Sequence, residues 1–121
     1  ARDEITFIMN KFHEQYDLLI TPTCALLPPL AEEYDKDGMM KNMNTDKMVS
    51  IWDCYHSNLA FTSLCNLTGQ PALSMPSGYV DTDNGRIPIG VQIIGGMNKD
   101  NDVLRAGYCL EKKFKSLYAK L

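Results

Sequence analysis

The run of residues 61–96 constrains the fold of this chain more than any other segment. Glycine and proline interrupt its apolar stretches at short intervals, so neither a long helix nor one continuous strand fits there. An apolar stretch that ends at Leu67 is followed at once by Gly69 and Pro71, which is the order typical of a helix C-terminus. We therefore expect a helix that ends at Gly69, followed by two strands.

Two apolar segments after that helix predict the strands. The first, residues 71–76, is short, whereas the second, residues 87–94, is longer and rich in β-branched residues. Turn-forming residues at 81–85 separate them, which predicts an antiparallel hairpin with an extended loop. Neither strand alternates cleanly between polar and apolar residues, so we expect burial on both faces and helices packed above and below the sheet.

Apolar residues recur at helical spacing in three places and predict three helices. The second helix covers residues 46–66, and the third begins near Asn101. Residues 17–21 form a short apolar run, and because Pro22 lacks the N–H that a strand ladder needs, we expect a buried strand that ends at Thr21. The apolar face expected for the first helix comprises Ile5, Ile8, Met9, Phe12 and Tyr16.

The resulting order of elements is helix, strand, loop, helix, strand, strand, helix, which is typical of the α/β class. The sequence contains no internal repeat, so we expect residues 1–121 to form a single segment without an internal boundary. A long loop covers about residues 24–45, where prolines and mixed charges break every periodic pattern. Such a loop either shapes the rim of a pocket or simply varies on the surface, and the pattern leaves both interpretations open.

Composition excludes several classes of function. The net charge is −3 and basic residues are interspersed with acidic ones, so the chain has no basic stripe for a nucleic acid. Its apolar stretches are far shorter than the roughly 20 residues that span a bilayer. The four cysteines form no C-x-x-C pair and have no histidine at metal-ligand spacing, so we expect neither a metal nor an organic cofactor. We interpret them as free, buried thiols in a reducing, cytoplasmic compartment.

The residue types needed for nucleophilic catalysis do not come together in this sequence. The only histidines are His13 and His56. His56 adjoins Ser57 on a predicted helix, where neighbouring side chains point about 100° apart and cannot form a dyad. Cys65 lies at a helix C-terminus, which disfavours a thiolate, so we interpret it as a core residue. The other serines near predicted elements are Ser63, Ser74 and Ser77.

Three sequence blocks carry a family resemblance: NLTGQPALSMP at residues 66–76, IPIGVQIIG at 87–95 and YDLLITPT at 16–23. Together they resemble the C-terminal part of the amidase signature family of Ser-Ser-Lys amide hydrolases. The resemblance implies a mixed β-sheet flanked by helices, and amide hydrolysis or amide-nitrogen transfer in a longer parent protein. The chain begins inside a helical pattern without a methionine, which also predicts a longer parent.

The family's catalytic lysine and its Gly/Ser-rich segment with two serines have no counterpart in these 121 residues. We therefore expect no catalytic residue here and no activity of the isolated chain. Its expected role is to complete the sheet and one wall of the pocket for a small-molecule amide substrate, in a parent whose possible homo-oligomerisation is left open.

The resemblance also implies where a substrate would bind. It places Thr23, Leu59, Phe61 and Thr62 towards the pocket side of the sheet, with ordinary packing at these positions as the alternative. In glutamine-dependent amidotransferase subunits of the family, an acidic residue that recognises the substrate's amino group matches the position of Leu59. A leucine cannot pair with an ammonium group, so this departure favours a substrate that is neutral or apolar at that point.

The expected function is that of the C-terminal part of an amidase, which hydrolyses carboxylic amides to an acid plus ammonia or an amine. The first alternative is a glutamine-dependent amidotransferase A-type subunit. The second is a non-catalytic module used for interaction. A bare segment of this kind should expose a sheet edge and an apolar face and should therefore associate with itself.

Overall fold

A computed structural model describes residues 1–28 and 59–118 of the chain. Most of the expected loop at 24–45 and the first part of the expected helix at 46–66 lie outside the described residues. The described part of that helix differs from the expectation, because residues 59–62 form turns and the helix begins only at Ser63. The described elements are helix α1 (Arg2–His13), strand β1 (Leu18–Pro22), short helix α2 (Ser63–Thr68), strands β2 (Ala72–Thr82) and β3 (Gly85–Gly95), and helix α3 (Asp100–Tyr118). Helices and strands follow each other as expected, which confirms the α/β class.

The described strands form one sheet in the order β1-β3-β2, and β3 pairs antiparallel with both neighbours. Strands β2 and β3 form the expected hairpin, but the expected extended loop is wrong. Pairing continues to Thr82 and Gly85, which leaves a tight turn of two residues between them. Strand β2 does not end at Pro76, because an irregularity between Pro76 and Gly78 carries the pairing past the proline.

Strand β1 extends one residue beyond the expected end, to Pro22. The expectation that this strand is buried is wrong, because none of its residues is fully buried and Ile20 is 56% exposed. The N–H of Thr23 donates to the carbonyl of Gly90 in β3 at 3.0 Å. Because inter-strand hydrogen bonds involve alternate residues of a strand, the nitrogen of Pro22 points away from β3. A proline is tolerated in this position, since no bond of the β1–β3 ladder requires its N–H.

Helix α3 packs against one face of the hairpin, which we call the α3 face. The buried centre of this contact is formed by Met75 of β2, Ile93 of β3 and Val103 of α3. Gly107 lies directly against Leu73, so the helix approaches the sheet closely there. Partly buried side chains surround this centre: Leu18, Leu73, Val91, Ala106, Leu110 and Phe114.

The opposite face of the sheet is covered at the C-terminal end of β3. Ile93 and Ile94 point to opposite faces of the strand, and both are fully buried. Helix α1 packs against α2, and His13 lies against Gly96 just beyond β3. This arrangement confirms the expectation of burial on both faces for this end of the strand.

Helix α1 buries a narrower face than the spacing of its apolar residues predicts. Met9 is buried and Phe12 is half-buried, but Ile8 is 59% and Tyr16 55% exposed. Tyr16 lies beyond the end of the helix and stacks on Phe12 with 4.8 Å between ring centroids. Arg2 fixes the other end of α1, where its Nε donates to the carbonyl of Leu67 at 2.9 Å.

The expectation of buried thiols is only partly correct. Cys24 and Cys109 are exposed and Cys65 is half-buried, and all three are free; Cys54 lies outside the described residues. Cys24 follows the edge strand, and Cys109 lies on the outer side of α3, so neither position is enclosed. Burial raises the pKa of the Cys65 thiol, which agrees with its interpretation as a core residue rather than a nucleophile.

Candidate functional site

Two hydroxyl groups meet on the sheet face opposite α3. The Oγ1 of Thr23, just after β1, lies 2.6 Å from the Oγ of Ser74 in β2. These residues flank the central strand, whose outer neighbours are about 9.6 Å apart. Their side chains meet because Gly90 of β3 lies between them and carries no side chain. A Cβ at Gly90 would stand 2.7 Å from the Thr23 Oγ1 and 3.5 Å from the Ser74 Oγ.

A buried amide extends this polar surface along β3. Gln92 is only 4% exposed, and its Nε2 donates to the Thr21 Oγ1 at 3.2 Å and to the Phe61 carbonyl at 3.0 Å. Both N–H groups of the amide are therefore satisfied, as burial requires. The bond to Phe61 attaches the segment before α2 to the sheet. We call Thr21, Thr23, Ser74, Gln92 and the carbonyl of Phe61 the polar cluster.

The structure brings two of the four expected substrate-binding residues to the polar cluster. Thr23 contributes its hydroxyl, and Phe61 contributes its backbone carbonyl. Leu59 and Thr62 lie in the turn that leads into α2, where the Leu59 carbonyl accepts bonds from the Ser63 N–H at 3.1 Å and the Ser63 Oγ at 2.8 Å. The hydroxyl of Thr62 also points to this carbonyl, at 3.5 Å. A substrate-binding role for any of the four stays a prediction.

Sequence reasoning missed three members of the cluster as binding residues. The sequence presents Thr21 only as the end of a strand, Ser74 only as a candidate nucleophile, and Gln92 only as an interruption of an apolar run. A polar residue inside a strand that is otherwise buried was the available signal, because such a group needs a hydrogen-bonding partner. The identity of that partner depends on the strand register.

Ser74 has no histidine beside it among the described residues. His13 lies against Gly96, and its Nδ1 is 3.0 Å from the carbonyl of Tyr16. Gly96 and Gly90 are six residues apart along extended chain, which corresponds to roughly 20 Å. Ser77 is already engaged with the Ile89 carbonyl at 3.2 Å, while His56 and Ser57 lie outside the described residues. The polar cluster can therefore bind and orient a ligand, but its own groups supply no base.

A second buried polar network has a structural role. Gln70 is 5% exposed, and its Nε2 donates to the Gly95 carbonyl at 3.0 Å. The buried Thr68 hydroxyl lies 3.1 Å from the Gln70 Oε1. Gly69, between them, has a φ of +78° and ends α2 in the left-handed conformation that glycine favours. The left-handed backbone of Gly69 confirms its geometric role at the end of the helix. The contacts of Gln70 attach the end of α2 to the end of β3.

Residues 1–28 and 59–118 contain no group of three His, Cys, Asp or Glu side chains that could hold a metal ion. Across the same ranges, no helix is both long and apolar enough to cross a membrane. None of the groups that form the polar cluster is ionisable, since they are hydroxyls, one carboxamide and one carbonyl.

The fold and the polar cluster define an α/β segment with a neutral hydrogen-bonding surface on one face of an antiparallel sheet. The sequence model of the family described as Amidase matches residues 1–104. The chain belongs to this family, as the three sequence blocks predict.

Individual relatives agree with this assignment. A lipoamidase of Enterococcus faecalis is 30% identical over 118 residues, with 88% of this chain and 16% of the relative covered. The A-type subunit of the glutamyl-tRNA(Gln) amidotransferase of Thermotoga maritima is 32% identical, with 93% of this chain and 20% of the relative covered. Among solved structures, 6-aminohexanoate cyclic dimer hydrolase matches with a TM-score of 0.66 and 29% identity, over 92% of this chain and 23% of that one. The chain thus spans only about a fifth of the length of these relatives.

Proposed function

We propose that this chain is the C-terminal part of an amidase that hydrolyses carboxylic amides to an acid plus ammonia or an amine. Its catalytic lysine and two serines would lie in a part of the parent protein outside these 121 residues. The observation that carries the proposal is the neutral polar cluster on the sheet face opposite α3, in a chain that belongs to the Amidase family. The chain contributes the sheet and one pocket wall, and the rest of the parent contributes the chemistry.

The position of the cluster supports a role as a pocket wall. Ser74 is exposed and Thr23 is half-buried, so both hydroxyls are accessible from the face opposite α3. The strands that carry them are held by continuous pairing with β3, and Gln92 fixes Phe61 beside them. Hydrogen-bonding groups on paired strands keep their geometry when a ligand binds, which lowers the entropic cost of recognition.

A neutral substrate fits this wall better than a charged one. Transfer of a charged group into a partly dry site is costly unless an opposite charge compensates it. The polar cluster offers no such charge. Leu59 occupies the position at which related amidotransferase subunits would carry an acidic residue, and its side chain is apolar. The proposed partner is accordingly a small, uncharged amide.

The second candidate function is that of a glutamine-dependent amidotransferase A-type subunit. Relatives that are A-type subunits of glutamyl-tRNA(Gln) amidotransferases, such as that of Thermotoga maritima, favour it. Recognition of glutamine requires a partner for its α-ammonium group, and Leu59 cannot provide one. The two candidates therefore differ in one measurable property, which is whether glutamine is used.

The test is amide hydrolysis by the full-length parent and by this chain at matched concentration. The panel contains glutamine, an aryl anilide, a fatty acid amide and a short neutral amide. We expect the parent alone to release product, with neutral amides preferred over glutamine. Preference for glutamine would favour the amidotransferase A-type subunit. Lack of activity of the parent on every amide would favour the non-catalytic interaction module. Turnover by this chain alone would contradict the assignment of the catalytic residues to another segment.

Self-association is part of the same proposal. Phe7 of α1 is 62% exposed, and Leu104 and Tyr108 of α3 are 59% and 61% exposed. Leu104 and Tyr108 lie one turn apart on α3 and therefore form an exposed apolar patch, and such patches mark surfaces that other protein covers, either the rest of the parent or a second copy. Light scattering should show that the isolated chain forms an oligomer, and that the parent forms an oligomer with fewer subunits.

Free thiols at Cys24, Cys65 and Cys109 suit a reducing, cytoplasmic location.

A further inference from the structure

We propose that the hydroxyl pair of Thr23 and Ser74 is a substrate-recognition subsite for a neutral carboxamide group other than the one that is cleaved. This inference rests on the proposed amidase function and adds the substrate class: a molecule with a second amide at a distance from the reacting one. The hydroxyl oxygens lie 2.6 Å apart.

Within the polar cluster, only this pair retains an O–H group for a ligand. Gln92 uses both of its amide hydrogens on Thr21 and Phe61. The hydroxyl of Thr21 donates to the Pro22 carbonyl at 3.0 Å while it accepts from Gln92. Among the residues that the structure describes, the hydroxyls of Thr23 and Ser74 bond only to each other. A ligand on this face would therefore meet its hydrogen-bond donor here.

The hydrogen-bonding capacity of the pair matches an amide. Each hydroxyl has one donor hydrogen and two acceptor lone pairs. When one hydroxyl donates to the other, the pair keeps one O–H donor and three lone pairs. The donor can bind the carbonyl oxygen of a carboxamide, and a lone pair can accept from its N–H. An ammonium group would use only the lone pairs, and a carboxylate would use only the single donor.

Gly90 keeps the pair accessible and in register. Its missing side chain lets Thr23 reach across β3 towards Ser74, since a Cβ there would stand 2.7 Å from the Oγ1 and 3.0 Å from the Cβ of Thr23. The Thr23 backbone is fixed at the same point, where its N–H donates to the Gly90 carbonyl. The pair is thus positioned before any ligand arrives, which is the arrangement expected for a specificity subsite.

The proposed catalytic lysine and serines belong to another part of the parent, and no base among the described residues lies beside the pair, so its proposed role is to bind an amide and not to transfer a proton. A contact that is equally strong in the ground state and the transition state changes KM and leaves kcat unaltered. Loss of one neutral hydrogen bond should weaken binding roughly 3- to 10-fold. The subsite therefore predicts a KM effect that is larger for substrates that carry the second amide.

The experiment uses the full-length parent with the variants Ser74→Ala and Thr23→Val, each of which removes one hydroxyl. Ser77→Ala is the matched control on the same strand, because the Ser77 hydroxyl is engaged with the Ile89 carbonyl. The substrates are pairs of linear amides, identical except for a second carboxamide, with spacers of about three to eight carbons. Both kinetics and equilibrium binding, by saturation-transfer NMR, are measured for each pair.

We expect a 3- to 10-fold rise in KM, to order of magnitude, for the diamides in Ser74→Ala and Thr23→Val. The kcat for diamides and all constants of the Ser77→Ala enzyme should stay unchanged, and the KM for monoamides should rise clearly less than the KM for diamides. An equal loss on monoamides and diamides, or a loss in kcat, would overturn the subsite. If the wild-type parent is inactive on every amide, the proposed amidase function is rejected. The binding measurement then tests the subsite by itself, because a diamide that binds more tightly than its monoamide, and loses this advantage in both variants, supports the subsite. Equal affinity of the wild type for each monoamide and its matching diamide would overturn the subsite.

Discussion

Gly95 of β3 and Val103 of α3 lie so close that a Cβ on residue 95 would stand 2.6 Å from the Val103 Cγ2. Val103 is 3% exposed, and its β-branched side chain has little rotational freedom. The same Gly95 donates its N–H to the Pro71 carbonyl at 3.0 Å. Helix α3 can therefore pack against the end of β3 only because residue 95 is a glycine and has no side chain.

A first prediction concerns this contact. Gly95→Ala should lower the free energy of unfolding by about 1–3 kcal/mol, because neither the strand nor Val103 can yield without loss of packing. Urea unfolding followed by circular dichroism measures the change. Gly78→Ala is the matched control on the neighbouring strand, since a Cβ there would meet no atom within 4 Å. In Val103→Ala protein, Gly95→Ala should cost clearly less; equal costs in both backgrounds would contradict the proposed clash.

A second prediction concerns the buried amide of Gln70. Gln70→Ala removes the donor to the buried Gly95 carbonyl, whereas the Thr68 hydroxyl keeps its bond to the Leu64 carbonyl at 3.0 Å. A buried carbonyl that is left unsatisfied in this way costs about 1–3 kcal/mol. The midpoint of urea unfolding should fall accordingly. The same substitution at Gln15, which is exposed, should leave the midpoint unchanged, and a comparable fall there would show that the Gln70 bonds are not responsible.

Signals confined to a few neighbouring residues were sufficient for much of the fold. The sequence Gly69-Gln70-Pro71 predicted where α2 ends, and Gly69 indeed adopts the left-handed conformation there. The apolar β-branched run predicted β3, and turn-forming residues predicted the hairpin. These features follow from the backbone preferences of glycine and proline and from the turn residues near them, and all of these preferences act locally.

Features that depend on register or on distant partners could not be predicted. Pro76 suggested the end of a strand, but pairing with β3 continues beyond it through an irregular step. Thr23 and Ser74 are 51 positions apart, and their contact depends on how two strands align against a third. Ile8 fits the apolar spacing of α1 and is nevertheless exposed, because α1 packs mainly against α2 through a narrower face.

A third prediction concerns cysteine reactivity. Burial raises the pKa of the Cys65 thiol, so less thiolate is present there at any given pH. Alkylation of Cys65 by iodoacetamide should therefore be slower than that of the exposed Cys24 and Cys109, and its rate should increase only at higher pH. Peptide mapping by mass spectrometry measures each site. In urea the three rates should become similar; a difference that persists in unfolded protein would exclude burial as the cause.

The last prediction concerns Gln92, which attaches Phe61 to the sheet. In Gln92→Glu, an ionised carboxylate would face the Phe61 carbonyl in a position that is 4% exposed in the wild type. Burial next to an acceptor disfavours the charged form, so the folded-state pKa of the new carboxyl should lie above its unfolded value of about 4.3. At neutral pH we expect a loss of about 3 kcal/mol in the free energy of unfolding.

The pH dependence of this loss distinguishes the mechanism from simple misfit. Below about pH 4.3 the carboxyl is protonated in both states and can donate to the Phe61 carbonyl, so the variant should approach the wild type. Between about pH 4.3 and the elevated folded-state pKa, the unfolded state has released its proton while the folded state still binds it. The free energy of unfolding of the variant therefore falls as the pH rises through this range. Urea unfolding at a series of pH values measures the difference between variant and wild type. Gln15→Glu, at an exposed position, should show a much smaller pH dependence, and a loss for Gln92→Glu that is constant with pH would indicate steric misfit instead.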